Sequence, residues 1–248
     1  SSADILSISN SSGLGVRIGD ITRAFDKFLD IKLQSSTSSF SFAKSKSEVF
    51  NQLESTLIPK NATVGTRLRE FFDGLSNLAQ DPDNANLRRL ALVNANAVST
   101  SISNLHTGLT DLRSVTHGTL ELTISEFNST LKNLSQVQKE IMGNSAKTGA
   151  PHGLLDRRDA LLEQLSEIGD ISVDYQASGG VTVSLGKLGA VGTLLEGSTF
   201  NEVTVKSDMG GVQTFVKDNF GSTSSVHFSS GQMAGLIAAD ITTGETIN

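Results

Sequence analysis

The sequence predicts an α+β protein: an elongated multi-helix rod, coiled-coil-like, carrying a smaller β-rich domain. Three observations lead there. Between Asn84 and Met142 there is no Pro, and apolar residues recur at alternating three- and four-residue steps. Two earlier stretches also carry helical apolar spacing. Beyond Gly169 the period changes to the two-residue alternation of strands. The implied organisation is a rod domain over residues 1–170, a β-rich outer domain over 171–229, and the start of a return segment to the rod over 230–248.

The first helix is expected from about Gly19 to Ile58. Ile18, Ile21, Phe25 and Phe28 lie on one helical face, Asp20 suits the positive end of the dipole, and Pro59 closes the helix. Ser35–Ser39 is a soft spot, because Ser and Thr are weak interior helix formers. A second helix, about Val64 to Gln80, carries a dense apolar face of Leu68, Phe71, Phe72, Leu75, Leu78 and Ala79. Asp81-Pro82-Asp83 ends it. The long third helix has the seam Ile102, Leu105, Leu109, Leu112, Thr116, Leu120, Ile124, Phe127, Leu131, Leu134, Gln138, Ile141. The consecutive four-residue steps around Thr116–Ile124 act as a stutter, and His117-Gly118 marks a place for a bend or fray. The residues expected to hold the bundle are Leu105, Leu109, Leu112, Leu120, Ile124, Phe127, Leu131 and Leu134. At 1.5 Å per residue such a helix reaches about 90 Å, a length that suits a rod.

Gly143–Gly153 reads as a loop, and a short helix follows over about Leu154–Ile168. Ile171–Tyr175 and Val181–Leu185 alternate around Ser178-Gly179-Gly180 and form a hairpin. Short strands are expected near Thr193–Leu195, Glu202–Val205, Val212–Val216 and Ser225–Phe228. Ser230–Ala239 starts a last helix, for which Thr242–Asn248 supplies no stop signal.

Composition narrows the chemistry. The chain of 248 residues has no Cys and no Trp, so there is no disulfide framework, thiol nucleophile or thiolate metal site. The net charge of −6 and scattered Lys and Arg give no phosphate track and argue against nucleic acid. No apolar run is long enough to cross a membrane. Ser and Thr exceed a fifth of the residues while aromatics are 5%, which favours an elongated assembly over an enzyme with a lined pocket.

Candidate sites are few. His106, His117, His152 and His227 form no ligand pair, so no metal or cofactor is expected. Gly13, Gly15 and Gly19 miss the dinucleotide-binding spacing and read as a flexible entry to the first helix. The sequons at Asn10, Asn61, Asn128 and Asn133 are assigned no role. The distinctive block is Leu154-Leu155-Asp156-Arg157-Arg158-Asp159-Ala160-Leu161-Leu162-Glu163-Gln164-Leu165-Ser166. Asp156 and Asp159 share a face. Two arginines lie between them and both acids fall in the expected first turn, so helix capping outweighs acid–base catalysis. Arg158 is expected to pair with Asp156 or a neighbouring helix, and Leu155, Leu162 and Leu165 to be buried together. No catalytic residue is assigned.

Several segments, in order, resemble the flagellar hook-associated protein 1 family, the first hook–filament junction protein. Arg23–Leu29 is similar to its entry to the first rod helix, and Leu68–Pro82 to its F-F-x-x-L-x-x-L-A-x-x-P segment. Leu154–Ser166 is similar to its L-L-D-x-R-D-x-L-L-x-x-L-S signature. Ser229–Leu236 resembles its S-G-x-L-x-G-L return, with Met233 in the usual Leu position. The resemblance implies a structural, non-enzymatic adaptor of the bacterial flagellum, without cofactor. It also implies export by the flagellar type III system to an extracellular site, and a core lacking the terminal polymerisation segments. Implied partners are hook protein, the next junction protein, copies of itself in a ring, and an export chaperone bound through the missing C-terminal segment. Alternatives are a flagellin-like or other hook-associated subunit, or a surface adhesin with a helical stalk.

Overall fold

A computed structural model describes residues 18–58, 63–145, 152–176, 179–186, 192–208 and 211–247, with side chains from Leu29 onward. The elements are α1 (Ile18–Leu57), α2 (Val64–Gln80), α3 (Ala85–Ser145), α4 (His152–Ile168), β1 (Ile171–Tyr175), β2 (Val181–Leu185), β3 (Thr193–Glu196), β4 (Thr199–Phe200), β5 (Glu202–Asp208), β6 (Gly211–Lys217), β7 (Thr223–Val226) and α5 (Gly231–Ile247). The α+β rod class holds: α3 alone has 61 residues, about 90 Å of helix.

Local chemistry sets several boundaries. Thr63 caps α2, its Oγ1 accepting from the Thr66 amide at 3.1 Å. Asn84 caps α3, its Oδ1 accepting from the amides of Asn86 and Leu87 at 3.0 and 3.3 Å. The expected soft spot at Ser35–Ser39 does not interrupt α1. There the Ser39 hydroxyl donates to the Ser35 carbonyl, and a stripe of Gln34, Ser38, Ser41 and Ser45 is buried ahead of Val49 and Leu53. Tertiary packing overrides the weak propensity. Nor does α3 break at His117-Gly118. α5 runs on to Ile247, past the point where sequence gave it a clear pattern.

The strands form two antiparallel sheets, ordered β1-β2-β3-β4 and β5-β6-β7. The two-residue β4 was not foreseen. Inward residues Val181, Val183, Leu185, Leu194, Leu195, Val203 and Val216 join Leu109–Leu134 of α3 and Leu162, Leu165 of α4 in one hydrophobic cluster. Phe127 and Phe228 meet edge-to-face inside it, centroids 6.0 Å apart. The strands therefore share their core with the helices. Gly231, at φ +84°, brings the chain back to them: a Cβ there would lie 2.6 Å from the backbone of Gly169 and Ile168, so only Gly fits.

The four expectations resting on Arg23–Phe28, Asn10, Asn61 and the glycines Gly13 and Gly15 lie outside the residues whose side chains are described.

Candidate interaction surface

The Leu154–Ser166 block occupies α4. Because α4 begins at His152, Asp156 and Asp159 stand beyond the first turn, and the capping role expected of them is corrected. Asp156 is exposed. Asp159, not Asp156 or a neighbouring helix, is the partner of Arg158: its Oδ1 accepts from Nε at 2.8 Å and Nη2 at 2.7 Å. Arg158 is buried; its Nη1 donates to the Gly179 carbonyl at 3.0 Å, and its guanidinium lies 5.1 Å from the Tyr175 ring centre. The arginine ties α4 to the turn end of the β1–β2 hairpin. Burial pushes the Tyr175 phenol upward, Asp159 adds to the shift and Arg158 opposes it. Leu162 and Leu165 are fully buried, Leu154 and Leu155 half-buried.

Of the α3 seam, Leu109, Leu112, Leu120, Ile124, Phe127, Leu131 and Leu134 are buried and Leu105 half-buried. Ile102, placed in the same seam by spacing, is 51% exposed. Burial of the seam starts only beyond it, in part at Leu105 and fully at Leu109.

That region carries the main apolar exposure. Gly74 of α2 packs against Ala91 and Asn94 of α3, and the Asn94 amide donates to the Glu70 carbonyl. Leu68, Phe72 and Leu75, at i, i+4 and i+7, then face away from α3 and are exposed, with Phe72 at 61%. Of the dense apolar face read from sequence, Phe71 and Leu78 are half-buried, while Leu68, Phe72 and Leu75 form an open surface. Leu92 and Val93 of α3 are open as well. Large apolar side chains exposed on one helix face, as Leu68, Phe72 and Leu75 are, mark an interaction site.

Two residues carry roles that sequence missed. Asn128 grips one residue of β5 from both sides: its Nδ2 donates to the Val203 carbonyl and its Oδ1 accepts from the Val203 amide, both at 2.8 Å. Asp240 of α5, fully buried, lies 2.7 Å from His117 Nε2 and 3.2 Å from Arg113 Nε. The expected bend site is thus where α3 holds α5.

A groove of about 690 Å³ separates α1 from β1 and the β7–α5 connection. Asp170 and Ser229 meet there, the Ser229 hydroxyl donating to Oδ2 and its amide to Oδ1. Burial raises the Asp170 carboxyl above 3.8, with the Ser229 donors pulling it back. Ser229 bonds the carboxylate directly, with no imidazole between them, so this is no serine–histidine relay. Among the described residues no cluster of His, Asp and Glu could hold a metal.

The family described as "Flagellar hook-associated protein FlgK helical domain" matches residues 50–248. The chain belongs to this family. The matched range takes in α2, α3, the α4 block, both sheets and α5 of the FlgK helical domain; the Arg23–Leu29 resemblance falls before it. Among curated relatives, flagellar hook-associated protein 1 of Bacillus subtilis (strain 168) is 28% identical over 200 residues, covering 76% of this chain and 39% of the relative. Its namesake in Salmonella typhimurium is 22% identical, covering 77% and 34%. The chain therefore spans less than two-fifths of the length of these relatives. The structure of the flagellar hook junction protein FlgK from Burkholderia pseudomallei shares the fold. Its TM-score is 0.75 at 21% identity, over 84% of this chain and 38% of that one.

Proposed function

We propose that this chain is the helical-domain segment of a hook–filament junction adaptor: a structural, non-enzymatic component of the bacterial flagellum, exported by the flagellar type III system. The match to the FlgK helical-domain family over residues 50–248 carries the reading. The physical features support it. A 61-residue helix, packed along α1, α4 and α5, makes a stiff element able to join two polymers of different curvature. The open apolar faces on α2 and the adjoining end of α3 are surfaces for neighbouring subunits: hook protein, the next junction protein, or another copy in a ring. The Leu105–Leu134 seam and the α4 block act as the internal scaffold of that rod, and the β-rich region over 171–229 as its outer part.

Gold-labelled antibodies raised against this chain, applied to intact flagella of the source bacterium, test the proposal. A single band of label where the curved hook meets the filament is the expected result. Label along the filament, or on the cell surface away from flagella, would overturn it in favour of a filament subunit or an adhesin.

A further inference from the structure

The groove between α1 and β1 has features that neither the rod nor the family match explains. β1 is an edge strand among the described residues, paired only with β2. The Gln176 amide donates to the Gly180 carbonyl and the Gly186 amide to the Asp170 carbonyl. In an antiparallel ladder these bonds fix the phase: the even residues of β1 exchange bonds with β2, and the odd ones point their N–H and C=O away. Val173, 9% exposed, therefore turns both groups, and Ile171 its carbonyl, away from β2 on the edge that faces α1. Ile171, Ser172 and Val173 line the groove from that side.

The opposite wall is α1, with Ile31, Ser35, Ser38 and Ser39. Ser38 is 4% exposed and its hydroxyl has no hydrogen-bond partner, unlike Ser39, which bonds back to its own helix. Buried hydroxyls are normally satisfied. Asp170 supplies the one carboxylate on the groove wall, and the lining otherwise holds no formal charge beyond what His227 can take up. The walls thus combine a strand edge, an unsatisfied hydroxyl, apolar side chains and a single negative charge.

We propose that this groove binds an extended peptide segment of a partner protein, which adds as a strand to the open edge of β1 and sets a lysine or arginine against Asp170. Strand addition supplies main-chain partners for Val173 and a polar group for Ser38. The basic side chain supplies the complementary charge. Alternate side chains of the incoming strand would rest on Ile31 and Ile171.

The test uses a blocked five-residue peptide alternating valine and threonine about a central lysine, titrated into the ¹⁵N-labelled chain. Amide shifts are expected at Ile171–Val173, Gly186 and Ser229. Replacing the lysine by glutamate should weaken binding about tenfold, the loss of one charge-assisted contact. N-methylating the peptide backbone on its pairing edge should abolish it. On the protein side, Asp170→Asn should erase the lysine–glutamate preference while strand addition persists. No shifts at millimolar peptide, shifts confined to α2 and the facing part of α3, or equal binding of the lysine and glutamate peptides would each overturn the proposal. The peptide variants leave the protein untouched, so a folding defect in Asp170→Asn cannot mask the answer.

Discussion

Arg158→Ala removes the group that joins α4 to the β1–β2 hairpin. Three contributions are lost. The charge-assisted bond to the Gly179 carbonyl is worth about 1.5–3 kcal/mol. The guanidinium over Tyr175, 5.1 Å away, adds about 0.5–1 kcal/mol. The pair with Asp159 would cost about 3–5 kcal/mol to break if both partners were buried. The Asp159 side chain is 40% exposed, so water takes over its carboxylate and the loss falls to about 1 kcal/mol or less. Together these destabilise the chain by about 2–5 kcal/mol, against about 0.5 kcal/mol or less for its exposed neighbour Arg157→Ala. Urea unfolding followed by circular dichroism measures both. Arg158→Lys should recover less than half of the loss, because an ammonium cannot bond Asp159 and Gly179 with the same fork.

A second readout tests the same arrangement. The chain has one Tyr and no Trp, so absorbance at the phenolate band reports Tyr175 alone. Its pKa lies above 10.0 because of burial and Asp159, with Arg158 pulling it down. Arg158→Ala should therefore raise the titration midpoint further, and Asp159→Asn should lower it. Equal stability of the Arg157 and Arg158 variants, or a midpoint that falls in Arg158→Ala, would refute the clamp.

Four other outcomes follow from the packing. Phe127→Ala, at the fully buried contact with Phe228, should cost about 3–5 kcal/mol, while Leu122→Ala, 74% exposed, should change stability by about 0.5 kcal/mol or less. Asn128→Ala leaves both main-chain groups of Val203 without their partner and should cost about 2 kcal/mol, with amide exchange accelerated first in β5. Gly235→Ala places a Cβ 1.9 Å from Ser45 Oγ and 2.7 Å from the Phe42 carbonyl; thermal unfolding should show a large loss that Ser45→Ala only partly restores, since the carbonyl remains. Asp170 holds its proton to higher pH when folded than its ordinary 3.8, so the folded state binds more protons in that window and stability falls as pH rises through it. Asp170→Asn lacks this dependence, so the stability of the wild-type chain relative to that variant should improve as pH is lowered from 7 towards 4.

Local signals located most elements because each is punctuated locally. Val64–Gln80 is bounded by a Thr cap and an Asp-Pro break, and the hairpin strands by alternation around paired glycines. What sequence cannot carry is the identity of the covering surface. Leu68, Phe72 and Leu75 have the period of a buried face, yet periodicity records only that one side is apolar. The same limit explains Ile102: the spacing continues towards the start of α3, but full burial of the seam begins only at Leu109. Asn128 was invisible for a different reason. Its partner lies 75 positions away, and an Asn that mimics a strand neighbour has no local signature. The α4 block was conspicuous, but the partner of Arg158 depended on where the helix starts.

The hydroxyl-rich composition acquires a physical reason in the helices. A bundle poor in aromatics can gain packing by bringing helices closer, and close approach requires small side chains. Ser41 and Ser45 of α1 are buried where α5 approaches, with Ser45 Oγ donating to the Gln232 carbonyl at 3.1 Å and Gly235 directly opposite. Elsewhere hydroxyls enter the core without a distant partner, because the helix supplies one. Thr116, Thr123 and Thr130 recur every seven residues along α3, and each donates to the carbonyl four residues earlier, at 2.8–2.9 Å. Thr243 of α5 and Ser166 of α4 do the same. Such bonds remove the penalty of burying a hydroxyl while keeping the side chain short. Ser38 departs from that pattern: it has the same small size and burial, and a helix carbonyl four residues back, yet its shielded hydroxyl makes no bond to it. Among the described residues, a helical hydroxyl oxygen that is shielded from solvent and still lacks a partner is the reason to look for a ligand beside α1.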